Sequence, residues 1–249
     1  MLIDLDKISA ERIAALDSSG NKVSYGDICT LSAAIQQAVP ERSLCFMLVE
    51  NTAGAVAWVM ASLASGTLVP LILNVKTEAG LLQSLLDTYK PAYLCAPETF
   101  TQEQATNGNE VKAEYGYRLI RTANPFCTLH PQLSHLLPTS GSTGSPKLVR
   151  HKYENIEAAA LNISTFFELK PADRPLLVLP LYYTMGLSVV FSHLKVGATV
   201  LITGLSMTDR LFWSFIKTER ATSFTGVPYS FHILNLMRFM RMDLRMWKL

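Results

Sequence analysis

The residues best suited to chemistry lie in one short string that is rich in hydroxyl groups and glycine and ends in a lysine. Residues 137–147 read Leu-Pro-Thr-Ser-Gly-Ser-Thr-Gly-Ser-Pro-Lys. Glycines let backbone N–H groups converge on an anion, hydroxyls donate hydrogen bonds to phosphate oxygens, and the lysine adds a positive charge. The candidate binding residues are Thr139, Ser140, Gly141, Ser142, Thr143, Gly144 and Lys147. The string therefore indicates a loop that holds a polyphosphate.

Other readings of this string are less consistent with its surroundings. It lacks the Gly-Lys-Ser/Thr ending of a Walker loop, and it does not match Gly-x-Gly-x-x-Gly. A surface turn rich in serine and glycine is the plain alternative. We expect the string at a junction between a strand and a helix, where α/β proteins bind ligands, and Arg150 and Lys152 add positive charge nearby. Composition, charge and location together favour phosphate binding.

The elements that must position this loop follow from the hydrophobic pattern, in which short apolar runs alternate with stretches of helical spacing. The predicted strands are 12–17, 22–25, 44–49, 68–73, 92–95, 117–121, 132–137, 176–179, 198–202 and 223–224. The predicted helices are 27–39, 52–65, 78–89, 153–167, 186–194 and 208–218, with Pro228 in the first turn of another. Residues 99–115 are polar and read as a mobile excursion or a surface helix. The alternation predicts an α/β fold with a largely parallel sheet and helices on both faces.

Composition narrows the classes of function. With 249 residues, of which 49% are hydrophobic and 17% charged, the chain can bury a large core. The net charge of +2 is too small for a general binder of nucleic acid or of a membrane surface. The last twelve residues carry +3, so the rest of the chain carries −1. We therefore expect a small-molecule partner and no nucleic acid.

Compartment, membrane and metal expectations come from a few local features. Residues 51–75 and 175–194 are uncharged and long enough to cross a bilayer, but breakers such as Pro70 and Gly186 divide each into a helix and a strand, so no membrane span is expected. The four cysteines are scattered, and the N-terminus lacks the features of a signal peptide, which favours reduced thiols and a cytoplasmic protein. Cys127 and His130 have no second ligand pair, so no metal site is predicted from the sequence.

The phosphate string resembles the phosphate loop of the adenylate-forming (AMP-binding) superfamily, which includes acyl- and aryl-CoA synthetases, peptide-synthetase adenylation domains and firefly luciferase. Residues 179–187, Leu-Pro-Leu-Tyr-Tyr-Thr-Met-Gly-Leu, resemble that family's Leu-Pro-Leu-Phe-His-x-x-Gly-Leu segment. Residues 23–28, 63–70 and 225–231 resemble three further family segments in the same order. The likeness covers nearly the whole chain.

The resemblance implies a two-step ligase of the acyl-CoA synthetase type. A small-molecule carboxylate would attack ATP to give an acyl-adenylate and pyrophosphate, with Mg²⁺ assisting, and coenzyme A would then take the acyl group. By matching positions, Thr139 to Gly144 and Lys147 would hold the β- and γ-phosphates. Tyr183 lies where many relatives have a histidine beside the acyl pocket, so it is the candidate substrate-binding residue. A carrier-protein arm or an amine is the alternative acceptor.

The sequence also departs from the family pattern. Leu148 replaces the usual glycine after the loop lysine. The family's Tyr-Gly-x-Thr-Glu segment, its Thr-Gly-Asp segment and its C-terminal-domain lysine do not occur. Residues 1–249 are therefore expected to be a truncated N-terminal portion of the large domain, with the C-terminal domain absent, no catalytic residue present and no adenylation by this chain alone. The alternative is a non-catalytic nucleotide-binding or interaction protein on the same fold.

Overall fold

A computed structural model describes residues 2–101, 108–139 and 147–239. A short 3-10 segment, Leu2–Lys7, precedes the regular elements. The strands are β1 (Ile13–Asp17), β2 (Lys22–Ser24), β3 (Ser43–Val49), β4 (Leu68–Asn74), β5 (Tyr93–Pro97), β6 (Asn109–Glu114), β7 (Tyr117–Arg121), β8 (Leu133–Pro138), β9 (Leu148–Lys152), β10 (Pro175–Leu177), β11 (Val200–Ile202) and β12 (Ser223–Phe224). The helices are α1 (Tyr25–Ala38), α2 (Ala53–Ser65), α3 (Ala79–Tyr89), α4 (Tyr153–Phe166), α5 (Thr184–Lys195), α6 (Arg210–Thr218) and α7 (Pro228–Leu236).

These strands form two sheets. In the first, in the order β6-β7-β5-β3-β4-β8-β9, the four central strands β5, β3, β4 and β8 are parallel and the outer pairings are antiparallel. In the second, in the order β12-β10-β11-β1-β2, only β2 is antiparallel. The α/β class predicted from the sequence is confirmed. The largely parallel sheet is divided into two mixed sheets, because β1 pairs with the distant β11 rather than with β3.

Helix α2 lies in the core between the two sheets. Twelve of its thirteen residues are buried, which its alanine-rich sequence permits because small side chains let neighbouring elements approach closely. The Thr52 hydroxyl accepts a hydrogen bond from the backbone N–H of Ala55 (3.2 Å) at one end of the helix. At the other end Gly66 takes the left-handed conformation (φ 70°) that glycine favours at a helix C-cap. The central core contains residues from both sheets and from α1, α2 and α5, while α3 covers the outer face of the first sheet and α6 that of the second.

The prediction for residues 99–115 is wrong over 109–114, which form the edge strand β6 rather than a mobile excursion or a helix. The turn after β6 lies over α2, and the indole N–H of Trp58 donates a hydrogen bond to the carbonyl of Glu114 (2.9 Å). An edge strand exposes one face and one set of backbone groups to water, so its polar sequence resembles a loop. Residues 102–107 lie outside the described part of the chain.

Both long uncharged segments divide as predicted. Residues 51–75 contain α2 and β4, and residues 175–194 contain β10 and most of α5. Across the described ranges, no helix combines the length and the apolarity that crossing a bilayer requires.

Candidate functional site

The carboxyl ends of β3, β4 and β8 meet at one edge of the first sheet, because these neighbouring strands are parallel. Open α/β sheets bind ligands outside this edge. Asn51 follows β3, Asn74 ends β4, and Thr139 follows β8. The predicted phosphate string therefore begins where the topology places a ligand site.

The phosphate string connects two antiparallel strands. Pro138 of β8 pairs with Leu148 of β9, and the backbone N–H of Thr139 donates a hydrogen bond to the carbonyl of Lys147 (2.8 Å). The expected strand-to-helix junction is therefore wrong. Strand β9 separates the string from α4 along the chain, so the string does not lead directly into the N-terminus of that helix. Strand β9 was not predicted because its sequence is basic and partly exposed. Only alternate residues of an edge strand need to be apolar.

Of the predicted binding residues, the structure describes the first and the last, Thr139 and Lys147. Thr139 and Lys147 are both exposed and are joined through their backbones at the mouth of the hairpin connection. Ser140, Gly141, Ser142, Thr143 and Gly144 lie outside the described residues. Leu148, where the family pattern has glycine, is half-buried and packs against the core on the outer face of the sheet.

Asn51 fixes the segment that leads from β10 towards Tyr183. Its side-chain amide donates to the carbonyls of Leu179 (3.2 Å) and Thr203 (3.3 Å). Its amide oxygen accepts a hydrogen bond from the backbone N–H of Leu181 (3.2 Å). A residue just after β3 of the first sheet thus holds the segments that follow β10 and β11 of the second. The sequence reasoning missed this role; an asparagine directly after a buried strand was the available signal.

Asn74 performs a similar function for the tyrosine pair. Its side-chain N–H donates to the hydroxyl of Tyr182 (3.1 Å), whose ring lies 4.7 Å from that of Tyr183. Burial raises the pKa of Tyr182, so its hydroxyl stays protonated at neutral pH. Tyr183 occupies the N-cap position of α5, and its side chain is 52% exposed. Tyr182 therefore contacts the end of β4, the strand next to the one that carries the phosphate string, and its ring contacts that of Tyr183.

Gly186 allows the first turn of α5 to approach this segment closely. A Cβ atom at this position would lie 2.3 Å from the carbonyl oxygen of Pro180, which is far inside normal contact distance. We expect Gly186→Ala to lower the free energy of unfolding by about 2 kcal/mol, because backbone must move to admit the methyl group. Urea unfolding would measure this. Gly204→Ala, where no atom lies within 4 Å of the added methyl group, is the control, and equal effects of the two substitutions would contradict the expectation.

A cavity of about 920 Å³ lies between α4, α5, β12 and α7. Ser188, in the second turn of α5, and Thr225, just after β12, are among its lining residues. Its apolar lining residues are Ile163, Phe167, Leu169, Val189, Phe224, Phe231, Leu234 and Phe239. A volume of this size can hold the organic part of a small-molecule substrate.

The residues available for a metal ion are few. In the ranges 2–101, 108–139 and 147–239, no three side chains of histidine, cysteine, aspartate or glutamate are grouped so that they could hold one. Oxygen-ligand clusters are what Mg²⁺ prefers. These residues therefore do not fit a magnesium site formed by side chains of this part of the chain alone.

Comparison with known proteins extends these findings. The family described as "AMP-binding enzyme" matches residues 12–246. A long-chain-fatty-acid–CoA ligase of Mycobacterium tuberculosis is 36% identical over 104 residues, or 41% of this chain and 20% of that protein. Oxalate–CoA ligase of Saccharomyces cerevisiae is 33% identical over 94 residues, or 37% of this chain and 17% of that protein.

Solved structures show the same fold. O-succinylbenzoate coenzyme A synthetase from Bacillus subtilis, in complex with AMP, superposes with a TM-score of 0.73 at 20% identity, covering 98% of this chain and 65% of that one. MatB from Rhodopseudomonas palustris superposes with a TM-score of 0.75 at 17% identity, covering 100% of this chain and 54% of that one. The aligned part spans a fifth or less of the two curated ligases and under two thirds of the two structures. Together with the family match over residues 12–246, the two-sheet fold and the flanks of the phosphate string show that this chain belongs to the AMP-binding enzyme family.

Proposed function

We propose that the protein activates a carboxylic acid with ATP and transfers the acyl group to coenzyme A. In the first step a carboxylate oxygen bonds to the α-phosphorus of ATP, and the bond to pyrophosphate breaks. In the second step the sulfur of coenzyme A bonds to the acyl carbon, and AMP leaves with the electrons of the acyl–oxygen bond. The hairpin connection from Thr139 to Lys147, at the carboxyl edge of the sheet, carries this proposal.

The string would act on the leaving pyrophosphate. Lys147 is exposed at the mouth of the connection, so its ammonium group can bind phosphate oxygens without any rearrangement of buried residues. Thr139 and Ser140 to Gly144 would add hydroxyl and backbone donors, as the family resemblance implies. Positive charges and hydrogen-bond donors that are already in position lower the activation barrier most when they bind the negative charge that develops in the transition state. Bound Mg²⁺ would neutralise phosphate charge, but the described residues supply no side-chain ligand cluster for it.

The organic part of the carboxylate would occupy the cavity beside α5. Tyr183 is the residue just before this helix, and it follows Tyr182, which contacts the end of β4 at the carboxyl edge of the first sheet. Ser188, in the second turn of the helix, lines the cavity. The carboxylate would therefore lie near Tyr183 and the phosphate string, with the rest of the molecule directed along α5. Coenzyme A is the proposed acceptor because the curated relatives named above are CoA ligases, and a cytoplasmic location suits free thiols and ATP.

Lys147→Ala is expected to reduce carboxylate-dependent ATP–pyrophosphate exchange roughly thirtyfold in the full-length protein that contains this chain, since a hydrogen bond to a charged group contributes about 2 kcal/mol. Lys22→Ala is the matched control, because Lys22 is also an exposed lysine of a strand but lies on β2 of the second sheet. Unchanged exchange in the Lys147 variant, or an equal loss in both variants, would contradict the role given to the string.

We also propose that the isolated 249-residue chain does not complete adenylation. Its sequence lacks the family segments that hold magnesium and ribose. The test is an assay for carboxylate-dependent pyrophosphate release with the chain alone. Release above the rate without enzyme would overturn this proposal and leave the assignment of the full-length activity intact.

A further inference from the structure

The hydroxyl group of Tyr182 accepts a hydrogen bond from a partner whose orientation is fixed. The side-chain oxygen Oδ1 of Asn74 accepts a hydrogen bond from the backbone N–H of Lys76 (2.9 Å). A backbone N–H can only donate, so this bond determines the orientation of the Asn74 amide, and Nδ2 is the atom that lies 3.1 Å from the Tyr182 hydroxyl. The amide nitrogen can only donate as well. The hydroxyl oxygen of Tyr182 therefore accepts in this contact.

The hydrogen of the Tyr182 hydroxyl is consequently available to a ligand. Among residues 2–101, 108–139 and 147–239, no atom accepts it, since the contact with Asn74 is the hydrogen bond that this hydroxyl makes. Burial, with a smaller contribution from Tyr183, raises the pKa of Tyr182, so the hydroxyl keeps its hydrogen at neutral pH. Tyr182 and Asn74 are both half-buried, and their hydrogen bond is only partly buried. The hydroxyl therefore lies at the margin of the core rather than inside it.

The contact with Asn74 places this donor beside the phosphate string. Leu71 of β4 pairs in parallel with Leu136 of β8. Three residues further along both chains, Asn74 is level with Thr139, the first of the candidate phosphate-binding residues, and neighbouring strands lie about 5 Å apart. From this spacing and the length of the Asn74 side chain, the Tyr182 hydroxyl lies roughly 10 Å from the start of the string. A ligand that binds the hydroxyl would therefore lie next to the phosphates.

We infer that Tyr182 binds the reacting carboxylate by donating its hydroxyl hydrogen to one of the two carboxylate oxygens. This inference rests on the proposed function for the identity of the ligand. The segment that carries Tyr182 continues into α5, and side chains of α5 line the cavity assigned to the organic part of the substrate. Phosphate oxygens have hydroxyl groups and a lysine of their own in the string. A carboxylate at Tyr182 would thus lie between the cavity and the phosphates.

A neutral donor suits the chemistry of this step. An ammonium or guanidinium group would hold the carboxylate in an ion pair, whereas a phenol donates one hydrogen bond and leaves the negative charge on the carboxylate. The second carboxylate oxygen bonds to the α-phosphorus of ATP, and the electrons of the broken bond leave on pyrophosphate. The oxygen bound by Tyr182 becomes the acyl carbonyl oxygen. Tyr182 keeps its proton throughout.

Nuclear magnetic resonance of this chain tests the inference independently of catalysis. Tyrosine labelled with carbon-13 at Cζ reports hydrogen bonding by the hydroxyl, and the signal of Tyr182 is the one that is missing from Tyr182→Phe. Acetate, octanoate and benzoate are added in turn, because the hydroxyl is expected to bind the carboxylate group that these acids share. We expect the Tyr182 signal to shift with the acids that the cavity admits. Octylammonium, which has the tail of octanoate but no acceptor at its head, should leave the signal unchanged.

Variants separate the free donor from the contact that holds it. Tyr182→Phe removes the donor but keeps the ring beside Tyr183, and phenylalanine is the residue of the family pattern at this position, so the variant should fold. Calorimetric titration should show about tenfold weaker binding of the acid that gives the largest shift, since a hydrogen bond to a charged group contributes at least that much.

Asn74→Asp is expected to cause a similar loss. Its carboxylate accepts the hydrogen of the Tyr182 hydroxyl, so the contact between the two side chains is kept while the donor is no longer available to a ligand. A purely structural role of the contact would predict normal binding in this variant. Tyr89→Phe, at an exposed position of α3, is the control and should bind acids as wild type does.

An unchanged Tyr182 signal with all three acids, or equal acid affinity in wild type and Tyr182→Phe, would overturn the inference. A shift caused by ATP without acid would assign the hydroxyl to a phosphate oxygen and overturn it as well. ATP–pyrophosphate exchange in the full-length protein is measured separately with the same acids. There, Tyr182→Phe should raise the KM for the acid about tenfold and leave the KM for ATP unchanged. Acid binding through Tyr182 without any exchange contradicts the proposed function but supports the carboxylate site.

Discussion

Replacing Gly54 with alanine is expected to lower the free energy of unfolding by about 3 kcal/mol or more, because the new methyl group has no space. A Cβ atom there would lie 2.0 Å from the carbonyl oxygen of Tyr115, in the turn between β6 and β7. That obstacle is backbone, so either α2 or the turn must shift. Helix α2 lies in the core between both sheets, and the hydrogen bond from Trp58 to Glu114 would be disturbed as well.

Gly80→Ala is the matched control, since each glycine is the second residue of its helix. At Gly80 the nearest atom to the added methyl group is the flexible end of Glu78, at 3.1 Å, and the position is exposed. The control should be neutral or stabilising by up to about 1 kcal/mol, because alanine favours the helix. Urea unfolding of both variants would measure the difference. A Gly54→Ala protein as stable as wild type would show that the turn over α2 is not closely packed.

Stability is also expected to fall steeply in acid, because of a buried histidine in the hairpin that carries the phosphate string. His135 of β8 stacks on His151 of β9, with ring centroids 4.4 Å apart, and it packs against the edge of the Phe191 ring. Burial, and secondarily the neighbouring His151, lowers the pKa of His135 to about 3. The unfolded chain binds its proton near pH 6.5, so protonation favours unfolding at every pH below that value.

His135 alone is therefore expected to reduce the free energy of unfolding by about 3 kcal/mol between pH 6.5 and pH 4, at about 1.4 kcal/mol per pH unit. Its stabilising contribution is complete above pH 6.5. Burial also lowers the pKa of His151, which adds to the effect in the same direction. Urea unfolding across this range measures the slope, and His135→Gln should flatten it. His130→Gln, at an exposed position, should leave it unchanged; a slope that is the same in wild type and His135→Gln would contradict the assignment.

The places where the sequence misled share a cause. Residues 109–114 and 148–152 are short, polar or basic edge strands, and their partners β7 and β8 supply the pairing. Strand formation at an edge depends on an exposed backbone finding a neighbour, which side-chain periodicity does not report. The role of Asn51 was not predicted for a related reason. Its three hydrogen bonds join it to residues more than a hundred positions away, and local sequence patterns do not report such contacts.

The sequence by itself determined most of the element types, the α/β class, the phosphate string at residues 137–147 and the likeness of nearly the whole chain to one family. These are local features, set by apolar periodicity, turn residues and the spacing of hydroxyls, glycines and a lysine. Only the tertiary structure decided that the strands form two sheets, that the phosphate string connects a hairpin, and that Asn51 binds the segments that follow β10 and β11. Each of these depends on which distant segments pack together, and the burial energy that selects the pairing is a property of the whole core rather than of any segment.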